Sequence, residues 1–363
     1  MTGAAVAGDV AVERLDVSTS TIPTDGVGGV ESDGTLEWDS TTIVLVEAHA
    51  GGHTGIGWTY GDAAAGSLIE SKLADAVAGC DAMDVQGAWA AMTRAIRNDG
   101  RPGISSMAIS AVDVALWDLK ARLLELPLAT LLGRYREAVP VYGSGGFTSY
   151  SVDRLQEQLS GWVARGIPRV KMKVGRDPGA DPERVRAARE AIGESAELFV
   201  DANGAYSRKQ ALELADRFAA EARVSWFEEP VSSDDLEGLR FMRDRAPAGM
   251  EVAAGEYGYE LVYFERMLAA GAVDVLQADV TRCGGITELL RVDALCKARS
   301  LPLSLHCAPS IHAHVGCALE CLVHCEFFHD HDRIEHELFD GVLSPEGGAL
   351  RPDPSRPGLG LSR

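Results

Sequence analysis

The sequence predicts an α/β protein in which repeated strand–helix units form a barrel and an N-terminal α+β unit is attached to it. Between residues 171 and 326, short apolar runs each end in a polar residue: Lys173, Asp201, Glu228, Glu256, Asp279 and His306. Their numbers differ by 28, 27, 28, 23 and 27, close to the roughly 30 residues of one βα unit in a barrel of about 250 residues. The chain has 363 residues, enough for such a barrel and an attachment.

Each of these polar residues is expected at the carboxyl end of its strand. In βα barrels that end carries the active site, while the helices form the outer ring. The side chains should therefore converge on one mouth of the barrel.

Residues 1–136 are expected to form the α+β unit, with residues 1 to about 10 lacking regular structure. Strand-like alternation covers residues 12–50 on either side of a Gly-, Asp- and Ser-rich loop from Thr24 to Gly34. A second Gly-rich segment spans residues 51–61. Glycine permits both lids and tight turns, so these two segments are either mobile lids or ordinary turns of a meander.

A helix is predicted over residues 105–124, with a serine as its N-cap. The barrel is expected over residues 137–328, beginning with the apolar run at 139–146. Residues 329–363 are polar and rich in Pro and Gly, and we expect them to return across the N-terminal unit. The sequence HisAspHisAsp at 329–332 is expected in a solvated loop.

Composition narrows the classes of function. The hydrophobic fraction of 46% is that of a well-buried globular protein, and the net charge of −20 argues against binding to nucleic acid or to an anionic membrane surface. No apolar stretch approaches a membrane span, and the N-terminus does not resemble a secretory signal. An anionic substrate would need local positive charge.

The chain has seven cysteines, an odd number that indicates reduced thiols and a cytoplasmic protein. Cys317, Cys321 and Cys325 are spaced by four. This spacing predicts one buried helical stripe of core thiols rather than a metal cluster.

Three of the phased residues are carboxylates, namely Asp201, Glu228 and Glu256. Carboxylates gathered this closely take up protons unless a cation holds them, and oxygen-only ligation suits Mg²⁺ best. A single acid at a strand end would be no more than a surface acid, but three acids at the ends of three successive strands favour a metal site. Glu229 follows Glu228 directly, and periodicity alone does not decide which of the two faces inward. Asn203 shares a face with Asp201 and is a candidate contact of the same site.

Lys171 and Lys173 lie two apart on one strand, so both should project into the barrel. Two neighbouring ammonium groups in a low-dielectric mouth depress each other's pKa, which would make one lysine a base near pH 7. The alternative is that the pair only binds a carboxylate.

Asp279 and His306 end adjacent strands. A carboxylate that orients an imidazole makes a second acid–base group, set across the site from the lysines. A lone histidine here would more often be a structural hydrogen-bonding group, but its phase with the other residues favours catalysis.

The ordered set of LysMetLys, AspAlaAsn, GluGluPro, GlyGlu, GlnAlaAsp with GlyGlyIleThr, and SerLeuHis resembles the mandelate racemase subgroup of the enolase superfamily. The resemblance covers nearly the whole chain. It implies a modified TIM barrel, (β/α)7β, carrying an N-terminal capping domain, and a symmetric homo-oligomer.

The resemblance also implies roles for individual residues. Asp201, Glu228 and Glu256 would hold Mg²⁺, Lys173 would be one base with Lys171 as its electrostatic neighbour, and Asp279 with His306 would be the other acid–base dyad. Enolase-superfamily sites are known to combine a Lys or His base with Mg²⁺. Glu326 and Ser144 match positions close to the substrate.

The predicted reaction starts with removal of the proton α to the carboxylate of a small anionic substrate. Loss of a β-hydroxyl would then give a 2-keto-3-deoxy acid, so the favoured activity is dehydration of an acid sugar. The alternatives are a racemase or epimerase, and a non-catalytic metal-binding barrel. Metal-assisted hydrolysis would require more histidines at the mouth.

Overall fold

The computed structural model describes residues 10–24 and 29–363. The predictions for residues 1–9 and for the middle of the Thr24–Gly34 loop fall outside these residues. Strands in the N-terminal part are β1 (Arg14–Pro23), β2 (Glu31–Ser32), β3 (Glu37–Trp38), β4 (Ser40–Ala50) and β5 (His53–Tyr60). Helices there are α1 (Ala64–Leu68), α2 (Ala74–Val77), α3 (Val85–Ala95), α4 (Ile104–Leu123) and α5 (Leu128–Leu132), with a π-helical turn at Ile69–Leu73.

The N-terminal unit is an antiparallel meander covered by helices. Its sheet has the order β1-β4-β5, and β2 and β3 form a separate two-stranded hairpin. The 51–61 segment is therefore a tight turn at Gly51–Gly52 followed by the strand β5, and the lid alternative is wrong for it. Gly55 and Gly57 explain this: a Cβ at either position would lie 2.3 Å from the backbone of α4, so glycine lets the helix pack directly on the strand.

Helix α4 confirms the predicted helix but not its cap. Gly103, with φ of 77°, occupies the N-cap position, and no side chain among the described residues caps the helix. Ser105, the serine at the predicted start, lies inside the first turn and is buried, as is Ser106, which donates its hydroxyl to the Tyr259 carbonyl.

Eight parallel strands close into a barrel, since β13 pairs with β6 as well as with β12. The strands are β6 (Val139–Gly145), β7 (Arg169–Lys173), β8 (Glu197–Asp201), β9 (Val224–Glu228), β10 (Glu251–Ala254), β11 (Val275–Ala278), β12 (Leu303–Leu305) and β13 (Leu322–Phe328). Helices that follow the first seven are α6 (Val152–Ala164), α7 (Asp181–Ile192), α8 (Arg208–Ala222), α9 (Leu236–Arg243), α10 (Leu261–Ala270), α11 (Gly285–Arg299) and α12 (Pro309–Val315). This confirms the (β/α)7β barrel with its N-terminal α+β domain.

The barrel has two apolar layers. Side chains that alternate outward from the strands pack beneath the helices in one large core shared with the N-terminal unit. A smaller inner cluster fills the barrel below its mouth and consists of Tyr142, Phe199, Trp226, Ala253 and Val275. This cluster closes the barrel interior below the carboxyl ends of the strands.

The segment after the barrel contacts the N-terminal unit. It contains α13 (His329–Leu338) and β14 (Ala349–Leu350), which pairs antiparallel with β6. Farther on, the backbone of Gly358 exchanges hydrogen bonds with Leu126 and Leu128, and Asp118 accepts the Leu359 amide at 2.6 Å.

Two predictions about short motifs are wrong. HisAspHisAsp at 329–332 forms the first turn of α13, with Asp330 and His331 buried, because the N-terminal hairpin covers it. Cys317, Cys321 and Cys325 do not share a helix: Cys317 lies in a 3₁₀ turn, Cys321 in a loop and Cys325 in β13. All seven cysteines are nevertheless free thiols, as expected. Among the described residues, no helix is long and apolar enough to cross a membrane.

Candidate active site

A cavity of about 440 Å³ opens at the carboxyl ends of the barrel strands. Five of the predicted site residues line it: Lys173, Asn203, Glu256, His306 and Glu326. The N-terminal domain supplies part of the opposite wall, including Trp38 and Tyr60. A larger cavity of about 780 Å³ lies at the amino ends of the strands, away from every predicted site residue.

The strand register brings the three phased carboxylates together. Lys173 pairs with Asp201, and Asp201 with Glu228, each at the last residue of its strand. Glu256 follows β10 by two residues. One carboxylate oxygen from each of Asp201, Glu228 and Glu256 lies within 4.8 Å of the others, and all three residues are buried. Burial, with the charge of Asp201, raises the pKa of Glu228 to about 8, as expected of carboxylates that compete for protons.

Both lysines project into the barrel, as the period of two predicts. Lys171 is fully buried, and its Nζ lies 2.6 Å from Glu228 Oε1 and 2.9 Å from Glu326 Oε1. Lys173 Nζ lies 2.5 Å from Asp201 Oδ2 and borders the cavity. The lysines thus face the carboxylate cluster from the adjoining strand.

The predicted depression of the lysine pKa is wrong for these contacts. Burial is the largest single influence and lowers the pKa of Lys173, but the charges of Asp201, Glu256 and Glu326 together outweigh it and raise that pKa above its ordinary value. The pKa of Lys171 is likewise raised, against burial, by Glu228 and Glu326. The ion-pair partner of each ammonium group therefore has a larger effect on its pKa than the other ammonium group has.

Asp279 and His306 form the predicted dyad. His306 Nδ1 lies 2.8 Å from Asp279 Oδ2, and the other oxygen of Asp279 accepts hydrogen bonds of 2.7 Å from the Thr281 amide and hydroxyl. Although burial raises the pKa of Asp279, the hydrogen bond and charge of His306 lower it below its ordinary value. The ring is thereby fixed with Nε2 directed at Glu256 Oε2, 3.2 Å away.

Glu326 and Ser144 occupy different depths. Glu326 lines the cavity, and its pKa, which burial raises, is held below the usual value by Lys171 and then by His306. Ser144 is fully buried behind Glu326 and donates its hydroxyl to Glu326 Oε1 at 2.5 Å. Ser144 therefore orients a wall residue and is not itself at the cavity surface.

Asn203 lies beside Asp201 as predicted. Its backbone N–H donates to Asp201 Oδ1 at 2.9 Å, and its side-chain Oδ1 is buried with no hydrogen-bond partner in the part of the chain that the structure describes. The residue has φ of 47°, in the left-handed region that asparagine tolerates. An unsatisfied acceptor at the cavity wall is suited to a hydrogen-bond donor on a ligand.

The period of two along a strand predicts that only one of Glu228 and Glu229 faces inward, but both are buried. Glu229 has φ of 39°, so the alternation of the strand ends at Glu228 and no longer directs the next side chain outward. Burial, followed by the charge of Glu256, raises the pKa of Glu229 well above its ordinary value.

Arg282 and Tyr257 are cavity residues that sequence reasoning missed. Arg282 Nη1 lies 3.6 Å from Glu256 Oε1, and the guanidinium group lies 5.6 Å from the centre of the Tyr257 ring. Both residues belong to loops, where strand period gives no information. Their closeness in sequence to predicted site residues could have indicated them, since Tyr257 directly follows Glu256 and Arg282 comes three residues after Asp279.

Comparison with known proteins agrees with this fold and site. The model of the family described as "Enolase C-terminal domain-like" matches residues 154–362. A second family model, that of the mandelate racemase/muconate lactonizing enzyme N-terminal domain, matches residues 31–133.

Three relatives illustrate the range of similarity. A mandelate racemase/muconate lactonizing enzyme-like protein from Rubrobacter xylanophilus is 64% identical, with a TM-score of 0.95 over 97% of both chains. A 3,6-anhydro-α-L-galactonate cycloisomerase from Streptomyces coelicolor is 33% identical over 96% of both chains. An L-talarate dehydratase from Polaromonas, solved with Mg and L-glucarate, is 31% identical, with a TM-score of 0.87 over 97% of this chain and 95% of the other.

A barrel with acidic and basic side chains gathered at its mouth and a capping domain above them defines an enzyme of the enolase type. The chain belongs to the mandelate racemase subgroup of the enolase superfamily.

Proposed function

We propose that this protein is a Mg²⁺-dependent acid-sugar dehydratase that removes the proton α to a carboxylate and expels a β-hydroxyl as water. The observation that carries the proposal is the arrangement around the buried carboxylates. Strand β7, with Lys173, borders them on one side, and β11 and β12, with Asp279 and His306, border them on the other.

The carboxylate cluster fits a magnesium ion. Its donors are all hard oxygens, one from each of Asp201, Glu228 and Glu256, within 4.8 Å of one another. When bound there, Mg²⁺ would supply an electrophile that opposes the negative charge developing on the substrate carboxylate. Several relatives are solved with magnesium, which supports the same choice.

The side chains divide the remaining work. One of Lys173 and His306 takes the α-proton, and the electron pair of the broken C–H bond becomes the C=C bond of an enol. For Lys173 to be the base, its ammonium group must first lose a proton, and a cation held by Asp201 would favour this by weakening the ion pair that raises the pKa of Lys173. The other donates a proton to the β-hydroxyl as the β C–O bond breaks, so water leaves and the enol tautomerises to a 2-keto-3-deoxy acid. Asp279 keeps the His306 ring in its orientation, while the ammonium group of Lys171 opposes the developing negative charge.

Lys173 and His306 permit either dehydration or racemisation, and dehydration is favoured because acid-sugar dehydratases are among the relatives. We expect a small anionic acid sugar as substrate and no nucleic acid partner. Residues 1–136, 137–328 and 329–363 are proposed as the capping domain, barrel and returning segment.

The direct test is a screen of mono- and diacid sugars for 2-keto acid formation with Mg²⁺ present. Formation of a keto acid that stops on chelation and returns with Mg²⁺ supports the proposal. Interconversion of stereoisomers without keto acid identifies a racemase or epimerase instead. A protein that binds Mg²⁺ but exchanges no α-proton on any acid sugar is the non-catalytic barrel.

A second candidate is ring-opening cycloisomerisation, favoured by the cycloisomerase that matches 96% of the chain. In that reaction the leaving oxygen belongs to a ring of the substrate, so the product keeps the mass of the substrate. Mass spectrometry of the products from anhydro and open-chain acid sugars separates the two, because only dehydration loses the mass of water.

A further inference from the structure

A second group of potential metal-ligand residues, two buried carboxylates and a half-buried histidine, lies where the β2–β3 hairpin meets the start of α13. Glu31 comes from β2, and Asp330 and His329 come from the first turn of α13. Their ligand-type atoms lie within 4.8 Å of one another, and the two carboxylates are each only 1% exposed. None of these residues belongs to the carboxylate cluster at the strand ends.

Each carboxylate is satisfied on one oxygen only. Glu31 Oε1 accepts the Tyr150 hydroxyl at 2.9 Å, and Asp330 Oδ2 accepts the indole N–H of Trp38 at 3.2 Å. Among the described residues, the other oxygens, Glu31 Oε2 and Asp330 Oδ1, are buried and have no hydrogen-bond partner. Carboxylates that bind a metal are held in the same manner, with outer hydrogen bonds fixing the group and a free oxygen left for the ion.

The two carboxylates also repel each other, because their ligand-type oxygens lie within 4.8 Å of one another. The guanidinium group of Arg154 stacks on the Tyr150 ring and donates to the Tyr150 hydroxyl. Two buried carboxylates at this separation require either a shared proton or a cation between them.

We propose that Glu31, His329 and Asp330 form a second divalent-cation site. Two carboxylate oxygens and one imidazole nitrogen suit a first-row ion such as Mn²⁺ or Zn²⁺ better than Mg²⁺, which prefers oxygen alone. Trp38 and Asp330 also line the catalytic cavity, so an ion here would fasten the hairpin to the barrel at the cavity rim.

The test counts bound Mn²⁺ by electron paramagnetic resonance of the free ion during titration of the metal-depleted, full-length protein. We expect two ions per chain in the wild type, and one each in Glu31→Gln and in Glu228→Gln. Glu37→Gln serves as the matched control, since Glu37 lies in the same hairpin but is exposed and pairs with Arg176; it should keep two ions.

A thermal measurement separates this site from the proposed active site. In the Glu228→Gln background, Mn²⁺ should still raise the unfolding temperature, and adding Asp330→Asn should remove that increase. A wild type that binds one ion, lost only in Glu228→Gln, overturns the proposal. The proposal is also overturned if Glu31→Gln still binds two Mn²⁺ ions and has a higher unfolding temperature than the wild type at every Mn²⁺ concentration. That result would show that a shared proton, and not an ion, joins the two carboxylates. If Glu31→Gln does not fold, the count in Asp330→Asn decides in the same way.

Discussion

Lys173 and His306 reach the site from strands on different sides of the carboxylate cluster, so their roles in an elimination are unequal. For an acid sugar whose α-proton faces Lys173, His306→Asn should abolish dehydration but leave exchange of the α-proton with D₂O measurable. Lys173→Ala should abolish both, because no C–H bond is broken. Proton NMR of the substrate in D₂O and a keto-acid assay measure the two rates.

If the α-proton faces His306, the two phenotypes exchange places, which identifies the configuration of the substrate. Control spectra come from Lys209→Ala, which changes an exposed lysine of α8 that does not line the cavity. Retention of full dehydration by either active-site variant would contradict the assigned roles.

Glu228 and Glu229 provide a matched pair for the metal site. Both are buried, but only Glu228 groups with Asp201 and Glu256 at ligand distance. Glu228→Gln should lower both activity and Mg²⁺ affinity more than about 100-fold, since even the loss of a group that only hydrogen-bonds a metal ligand costs about 10–100-fold. Glu229→Gln should still bind one Mg²⁺ in calorimetric titration. Equal losses in the two variants would show that Glu228 has no special role.

Whether the sequence could predict the position of an individual side chain depended on the regularity of the backbone around it. Lys171, Lys173 and Asp201 lie on extended strands, where a period of two fixes the direction of each side chain. Glu229 escaped prediction because its positive φ breaks that period, and Arg282 because it lies in a loop. The lysine pKa was mispredicted because the sequence does not reveal which carboxylates face each ammonium group.

The turn that follows β10 sets the position of Glu256. Gly255 has φ of 139°, and a Cβ there would lie 2.1 Å from the carbonyl oxygen of Gln277 on β11. Gly255→Ala must therefore shift the backbone next to Glu256, and we expect at least about a 10-fold loss of Mg²⁺ affinity and activity.

Gly249, just before the same strand, is the matched control. It also has positive φ, 93°, but a Cβ there would meet nothing within 4 Å. Gly249→Ala should therefore lower the unfolding temperature without changing the Mg²⁺ affinity of the folded protein. Normal Mg²⁺ affinity in Gly255→Ala would mean that the turn does not position Glu256.

Among the elements, those with strong periodicity were predictable. The strands from β7 to β12 and the helix α4 lie where apolar spacing predicted them. The first turn of α13 was mistaken for a loop because its polar residues are buried by partners distant in sequence, such as Trp38. Tertiary contacts of this kind leave no local pattern.

On the scale of the whole molecule, we expect a symmetric homo-oligomer. Superfamily resemblance suggests it, and a few large apolar side chains stay exposed on the chain, including Leu36 and Tyr135. Light scattering at micromolar concentration should give a mass that is a multiple of 38.6 kDa. A mass equal to one chain would contradict this prediction.

Glu335 joins three parts of the molecule and links their packing to pH. Its carboxyl group is fully buried on α13, accepts the Ser310 amide at 3.0 Å from α12, and accepts the Tyr60 hydroxyl at 3.1 Å from β5. Burial raises the pKa of Glu335 from 4.5 to about 8. The folded chain therefore holds a proton here that the unfolded chain releases above pH 4.5.

Because the pKa is raised on folding, the contribution of Glu335 to stability is complete below pH 4.5 and declines as the pH rises towards 8. The decline is at most about 1.4 kcal/mol per pH unit. Glutamine resembles the protonated form and does not titrate. Its carbonyl oxygen can accept the Ser310 amide while its NH2 group donates to the Tyr60 hydroxyl oxygen. The unfolding temperature of Glu335→Gln should therefore exceed that of the wild type by an amount that grows between pH 5 and pH 8. Glu337→Gln, on the exposed side of the same helix, should show no such growth. A constant difference between Glu335→Gln and wild type across this range would mean that Glu335 is ionised in the folded protein, and that the contact between the capping domain and the barrel accommodates its charge.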